Sequence, residues 1–104
     1  MIRHVVTWKL RAVDEAQRDA DAQAIVDRLR SLVPLIPEIK SLEVARNTAY
    51  PEQNWHVVLI ADFDDLDGLE TYQQHPAHLE VVSFVRSVVA ERASVDFEAP
   101  SRVI

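Results

Sequence analysis

The sequence predicts an α+β fold, a ferredoxin-like β-α-β-β-α-α-β layer with a four-stranded antiparallel sheet. Three observations favour it. Segments that alternate with a period of two occur near both ends and in the middle of the chain, and segments of helical period connect them. The chain has 104 residues, which is enough for one core. We therefore predict a single domain over residues 1–104, with both helical connections on one face of the sheet.

The first strand and the first helix are predicted from the first third of the chain. Residues 2–11 alternate in the way that a strand with two different faces does. Asp14 is a typical N-cap, and apolar residues then recur at helical spacing until Pro34 and Pro37. This pattern predicts one long helix after the first strand.

The middle of the chain predicts a hairpin. Residues 39–46 indicate a second strand, residues 47–54 a turn, and residues 55–63 a third strand that is apolar on both faces. A strand of that kind is covered on both faces. Because the helices cover only one, we expect a second copy of the chain to cover the other, which predicts a homodimer in the form of a dimeric α+β barrel.

The last third predicts two helices that meet at a corner, and a closing strand. Asp64 or Asp65 can cap a short helix, and Pro76 is suited to the first position of the next one. His75 and Pro76 would form the corner between them, because the residue before a proline is extended. Residues 92–98 alternate again and indicate the fourth strand.

Composition excludes several classes of function. The chain has 17 Asp and Glu residues against 11 Lys and Arg residues, and no run of basic residues, so it lacks the charge of a nucleic-acid binder. It has no cysteine, which excludes thiolate catalysis and disulfides. Its first ten residues include the charged Arg3 and Lys9 and no small-residue cleavage site, so we expect a cytoplasmic protein without a membrane span.

The candidate chemistry is concentrated at the predicted corner. Tyr72, His75 and His78 place three hydrogen-bonding rings around Pro76. A phenol and an imidazole on two meeting helices can form an acid/base site. Each ring also has a structural interpretation: Tyr72 as a core tyrosine, His78 as a histidine bonded across the core, and His75 as a helix cap. Three imidazoles could hold a metal ion, but no carboxylate stands at HExxH-type spacing, and we predict no metal site.

Strand periodicity extends this candidate site to the sheet. His4 shares a strand face with Val6 and Trp8, and His56 shares one with Val58. If both faces are covered by the helices, four polar rings line one cavity. These rings belong to His4, His56, Tyr72 and His78.

Three segments resemble the stress-responsive α/β barrel (Dabb) family. They are residues 2–10, residues 55–63 and, as the most specific part, the motif Tyr-x-x-His-Pro-x-His from Tyr72 to His78. The resemblance implies the dimeric α+β barrel superfamily and, from a plant polyketide cyclase of the family, ring closure without a cofactor. It also implies that His78 is the general base and Tyr72 its phenolic partner, with His4 and His56 in the pocket.

Three hypotheses about function follow. The first is a homodimeric enzyme that catalyses cofactor-independent cyclisation or isomerisation of a small carbonyl or phenolic compound in an apolar pocket. Its substrate-binding residues would be His4, Val6, Trp8, His56 and Val58. The second is a non-catalytic dimer with a stress-response, ligand-binding or structural role. The third is a cofactor-independent monooxygenase, because that chemistry occurs in the same superfamily.

Overall fold

The computed structural model describes residues 1–100, so the last four residues of the predicted domain lie outside its described part. The predicted order of elements is confirmed within it. The elements are β1 (Ile2–Leu10), α1 (Glu15–Arg30), β2 (Ser41–Arg46), β3 (Val57–Phe63), α2 (Leu66–Gln74), α3 (Pro76–Val88) and β4 (Val89–Glu98).

The four strands form one antiparallel sheet, as predicted, and the structure shows that their order is β2-β3-β1-β4. The register places His4 of β1 opposite Ala61 of β3 on one side and opposite Asp96 of β4 on the other. Residues directly opposite each other in antiparallel strands share a face of the sheet. The register therefore decides which side chains can meet.

The helices cover one face of the sheet, and the core lies between them. On β1, every second side chain from Ile2 to Leu10 is buried. The helix α1 begins at its cap, where Asp14 Oδ2 accepts a hydrogen bond from the backbone N–H of Gln17 at 2.9 Å. The side chains from β3 and α1 that complete this core are Val57, Leu59, Ala61, Phe63, Ala22, Ile25, Val26 and Leu29.

The opposite face of the sheet, which we call the open face, is uncovered in the single chain. Val58 and Ile60 of β3 are half-buried there, and Val95 and Phe97 of β4 are 63% and 42% exposed. The apolar alternation of β4 therefore faces away from the helices. Apolar side chains in this arrangement are typical of a surface that another chain covers.

The end of the first helix differs from the prediction because of the prolines that follow it. The helix α1 ends at Arg30 rather than continuing to Pro34. Proline disfavours the helical conformation of the residue before it, and the chain tightens into turns in which Leu32 N–H bonds to Leu29 O. Leu32 and Ile36 remain buried in these turns, so the apolar spacing was read correctly but the backbone is not α-helical.

The two helices that meet at the corner each begin at a side-chain cap. Asp65 Oδ1 accepts a hydrogen bond from Gly68 N–H at 2.8 Å and begins α2. His75 is extended, and its Nδ1 accepts a hydrogen bond from Ala77 N–H at 3.1 Å, which begins α3 at Pro76. A proline at this first position loses no helical hydrogen bond. The corner brings Tyr72 at the end of α2 beside His78 at the start of α3.

Candidate functional site

A cavity of about 590 Å³ lies between the helix-covered face of the sheet and the two helices of the corner. Its walls are mostly apolar, with side chains from β1, β3, α1 and α3. The apolar wall includes Val6, Trp8, Leu29, Leu59, Val81 and Val85. Three of the polar groups in the lining are rings named by the sequence: His4, Tyr72 and His78. The other polar residues of the lining are Gln73, Gln74, Arg86, Glu91 and Arg92. A mostly apolar cavity with a few convergent polar groups is the usual form of a small-molecule site.

Tyr72 occupies the centre of the site. Its ring lies between Phe63, with a centroid distance of 5.0 Å, and His78, at 4.2 Å. The side chain is 0% exposed, yet its hydroxyl has no hydrogen-bond partner within residues 1–100. Burial raises the pKa of Tyr72 well above its ordinary value of 10.0, so the phenol stays protonated at neutral pH. The hydroxyl is therefore a buried donor without an acceptor in the protein.

His78 is oriented by a backbone carbonyl. Its Nδ1 donates a hydrogen bond to Gln73 O at 3.1 Å, which leaves Nε2 with the lone pair when the ring is neutral. Burial lowers the pKa of His78 below its ordinary value of 6.5. The hydrogen bond to the Gln73 carbonyl raises this pKa, whereas nearby His4 and Arg92 lower it further. The neutral ring therefore predominates at neutral pH. In that form Nε2 can accept a proton.

His4 is buried beside Tyr72 and is held by an acidic partner. Only 3% of its surface is exposed, and its ring meets that of Tyr72 edge-on at 6.3 Å. Its Nδ1 donates a short hydrogen bond to the carboxylate of Asp96, directly across the β1–β4 pair. A carboxylate on one imidazole nitrogen fixes the orientation and tautomer of the ring.

His56 and Val58 do not reach this cavity, so the predicted convergence of four rings is wrong. The register places Val58 opposite Thr7, which is on the open face, whereas Val6 and its cross-strand partners face the helices. His56 precedes β3, and its Nδ1 accepts a hydrogen bond from Leu10 N–H at 2.9 Å. Val58 instead lines a separate depression on the open face, beside Trp55 and Thr7. The alternation of residues along a strand defines two faces but does not say which one the helices cover. The pairing of β1 with β3 shows that these residues lie on the uncovered face.

Three polar groups of the site were not identified from the sequence. Asp96 lies in the segment that the sequence predicts as the fourth strand and has no functional motif around it, and the Gln73 carbonyl carries no sequence signal. Arg92 lines the cavity and lies opposite Trp8 in the β1–β4 register. Asp96 and Arg92 both share the face of His4 and Trp8, which only the pairing of the first and last strands reveals.

No group of three or more His, Asp or Glu side chains within residues 1–100 is arranged to hold a metal ion. In the same part of the chain, none of the helices is long and apolar enough to cross a membrane.

The cavity brings three chemical groups together beside its apolar side chains. His78 Nε2 offers a lone pair, the Tyr72 hydroxyl offers a proton for hydrogen bonding, and the pair of His4 and Asp96 offers an oriented imidazole. A carbonyl compound could be bound through its oxygen at the phenol while the imidazole takes a proton from an adjacent atom.

Comparison with known proteins places the fold in one family. The model of the Stress responsive A/B Barrel Domain (Dabb) matches residues 2–99. A dimeric protein of unknown function with a ferredoxin-like fold from Bacteroides fragilis is 28% identical, with a TM-score of 0.86 over 94% of this chain and 95% of that one. No curated protein matches the chain.

Two less similar structures share the fold alone. A Dabb family protein with a ferredoxin-like fold from Mesorhizobium loti is 21% identical, with a TM-score of 0.70 over 96% of this chain and 97% of that one. SnoaB, a cofactor-independent oxygenase from Streptomyces nogalater, is 15% identical, with a TM-score of 0.73 over 98% and 95% of the two chains. Because the family model matches nearly the whole chain, the protein belongs to the stress-responsive A/B barrel (Dabb) domain family.

Proposed function

We propose that this protein is a homodimeric, cofactor-independent acid/base catalyst of the cyclase or isomerase type, acting on a small carbonyl or phenolic compound in the cavity. His78 is the general base, and Tyr72 holds the carbonyl or enolate oxygen. His4, Val6 and Trp8 contact the bound compound.

The unpartnered hydroxyl of Tyr72 is the observation that carries this proposal. A buried donor without an acceptor destabilises a folded protein by about 1–3 kcal/mol. It is retained here in a cavity, in ring contact with an imidazole whose Nε2 is free to accept a proton. A ligand oxygen would complete the hydrogen bond of the phenol. The same oxygen would then become more negative as His78 removes a proton, which is when the hydrogen bond strengthens.

The proposed dimer is supported by the open face and by one relative. The similar protein from Bacteroides fragilis is dimeric. In this chain Val95 and Phe97 leave apolar surface in water, and Val58 and Ile60 extend that surface across the sheet. A second copy related by a two-fold axis would cover it with the same residues.

Proton exchange tests the catalytic role without knowledge of the natural substrate. The probe is 4-phenylbutan-2-one in D₂O, and the measurement is the rate at which its protons next to the carbonyl are replaced by deuterium, followed by NMR. We expect the protein to accelerate this exchange. His78→Asn should reduce the acceleration by about a hundredfold or more, the usual contribution of a general base. Tyr72→Phe should reduce it by a similar factor, through the loss of a donor to the oxygen.

The matched control is His75→Asn, the same substitution three residues away. Asparagine retains a side-chain oxygen for the helix cap, and His75 does not line the cavity, so the exchange rate should not change. Binding of the ketone without faster exchange would favour a non-catalytic ligand-binding dimer. No binding at all would favour a structural role.

A further inference from the structure

The mouth of the cavity carries an excess of positive charge. Among the residues that line the cavity, Arg86 of α3 and Arg92 of β4 are cationic and Glu91 is the one anionic residue within residues 1–100. Glu91 is itself paired, with its Oε2 3.7 Å from Lys9 Nζ. This local charge is opposite to that of the whole chain, whose formal net charge is −6.

Neither guanidinium at the mouth is neutralised by the protein. Within residues 1–100, no carboxylate forms an ion pair with Arg86 or Arg92. The hydrogen bond recorded for Arg92 is from Nη1 to the hydroxyl of Ser94 at 3.2 Å, a neutral partner. Most of the donors of this guanidinium therefore remain available to a ligand, because an arginine offers five N–H groups.

Arg92 is close enough to influence the reactive rings. Its positive charge contributes to lowering the pKa of His78 and opposes the rise in the pKa of Tyr72. It lies on the same face of the sheet as Asp96, four positions along β4. At about 3.3 Å per residue, the backbone positions of Arg92 and Asp96 are about 13 Å apart.

We propose that the ligand of this cavity carries a carboxylate, which binds the guanidinium of Arg92 at the mouth while its apolar body lies against Trp8 and α3. Arg86 of α3 adds a second positive charge to the cavity lining. A planar guanidinium can bind a carboxylate with two parallel hydrogen bonds, and the apolar walls suit an aromatic or aliphatic body. This inference rests on the proposed function, since it names the class of compound for the same cavity.

The test compares two probes that differ in charge alone. They are 2-naphthoate and 2-naphthamide, which have the same ring system and nearly the same shape. Binding is measured by titration calorimetry on the full chain and, in a Trp55→Phe background, by quenching of Trp8 fluorescence, since Trp8 lines the cavity. We expect the naphthoate to bind about tenfold more tightly or better, as is usual for a charge-assisted hydrogen bond.

Arg92→Gln should remove most of this preference and leave the affinity for 2-naphthamide unchanged. The matched control is Arg18→Gln, which makes the same change in net charge on α1, away from the cavity. It should retain the preference. Circular dichroism of each variant shows whether it is folded, and Arg92→Lys, which keeps the charge, should retain part of the preference.

Three results would overturn the inference. The first is that the unmodified protein binds the two probes with equal affinity. The second is that Arg92→Gln and Arg18→Gln lose the preference for 2-naphthoate equally, because the preference would then depend on the net charge of the protein. Failure of 2-naphthoate to bind would also overturn it. In that case the ketone exchange experiment separates the two proposals. Faster exchange would support the catalytic function alone, whereas no exchange and no binding of the ketone would contradict both proposals.

Discussion

The phenol of Tyr72 is fully buried, and its hydroxyl has no acceptor within residues 1–100. A phenylalanine would fill the same space between Phe63 and His78 without burying a polar group. The hydroxyl is therefore unfavourable for folding and useful only to a ligand. This difference allows a functional role to be distinguished from a structural one.

Tyr72→Phe is expected to raise the free energy of unfolding by about 1 kcal/mol, because it removes the cost of an unpaired buried hydroxyl. Urea denaturation of the unliganded protein measures this. The control is Tyr50→Phe, whose side chain is 71% exposed and whose hydroxyl is solvated, so it should leave stability unchanged. A clear loss of stability in Tyr72→Phe would mean that the hydroxyl has a partner in solution and is a structural group.

Burial of His78 predicts a loss of stability in acid. The unfolded chain binds a proton at this residue near its ordinary pKa of 6.5, whereas the folded protein binds it only at lower pH because the pKa of His78 is lowered. The unfolded state therefore holds more protons between these two values. The free energy of unfolding should fall as the pH drops below 6.5 and level off below the folded-state pKa.

The measurement for this prediction is urea unfolding of the unmodified protein and of His78→Asn at about pH 7.5 and about pH 5.5. The decrease in stability should be smaller in His78→Asn. The pKa of His56 is also lowered by burial, but His56 is present in both proteins, so the difference between them reports His78. Identical pH profiles would contradict the buried, neutral state of His78.

The corner of α2 and α3 positions the two rings of the site. Its geometry depends on local signals in the sequence: Asp65 caps α2, His75 caps α3, and Pro76 occupies the first helical position. These signals were sufficient to predict the corner and both helices. The hydrogen bond from His78 to Gln73 O then crosses the corner from one helix to the other.

His75→Ala is expected to destabilise the protein by about 1 kcal/mol, because it removes the acceptor for Ala77 N–H at the start of α3. His75→Asn should restore most of that stability, since asparagine is a good N-cap. Thermal or urea unfolding of the two variants provides the measurement. Equal stability of His75→Ala and the unmodified protein would show that the cap does not contribute.

At the scale of the sheet, periodicity correctly predicted which residues share a face of a strand. It could not show which of the two faces the helices cover. On β1 the face of His4, Val6 and Trp8 is the covered one, as expected. For His56 and Val58 the same reasoning failed, because alternation defines two faces of a strand but not which one meets the helices. That choice depends on the pairing of β1 with β3.

At the scale of the whole molecule, the open face is the largest feature that a single chain does not explain. It exposes Val95 and Phe97 beside half-buried Val58 and Ile60. The ion pair between Arg3 and Asp62, at 2.9 Å, lies on the same face of the sheet. A mixture of apolar side chains and ion pairs is typical of an interface between subunits.

Val95→Asp is expected to convert the proposed homodimer to a monomer, because a carboxylate buried in an apolar interface without a partner is strongly unfavourable. Light scattering coupled to size-exclusion chromatography measures the mass. The control is Val13→Asp, whose side chain is 93% exposed between β1 and α1, and it should leave the mass unchanged. A monomeric unmodified protein, or a dimeric Val95→Asp variant, would contradict the proposed interface.

The sequence by itself determined the order of the elements, the corner at His75 and Pro76, and the motif that carries Tyr72 and His78. These features depend on local physics: periodicity, capping and the constraints of proline. Only the tertiary structure decided that Asp96 partners His4, that Arg92 lines the cavity, and that His56 lies outside it. The reason is that paired residues of β1 and β3 are 49 to 61 positions apart in the chain, and those of β1 and β4 are 79 to 96 positions apart. No local signal specifies the register of strands so far apart.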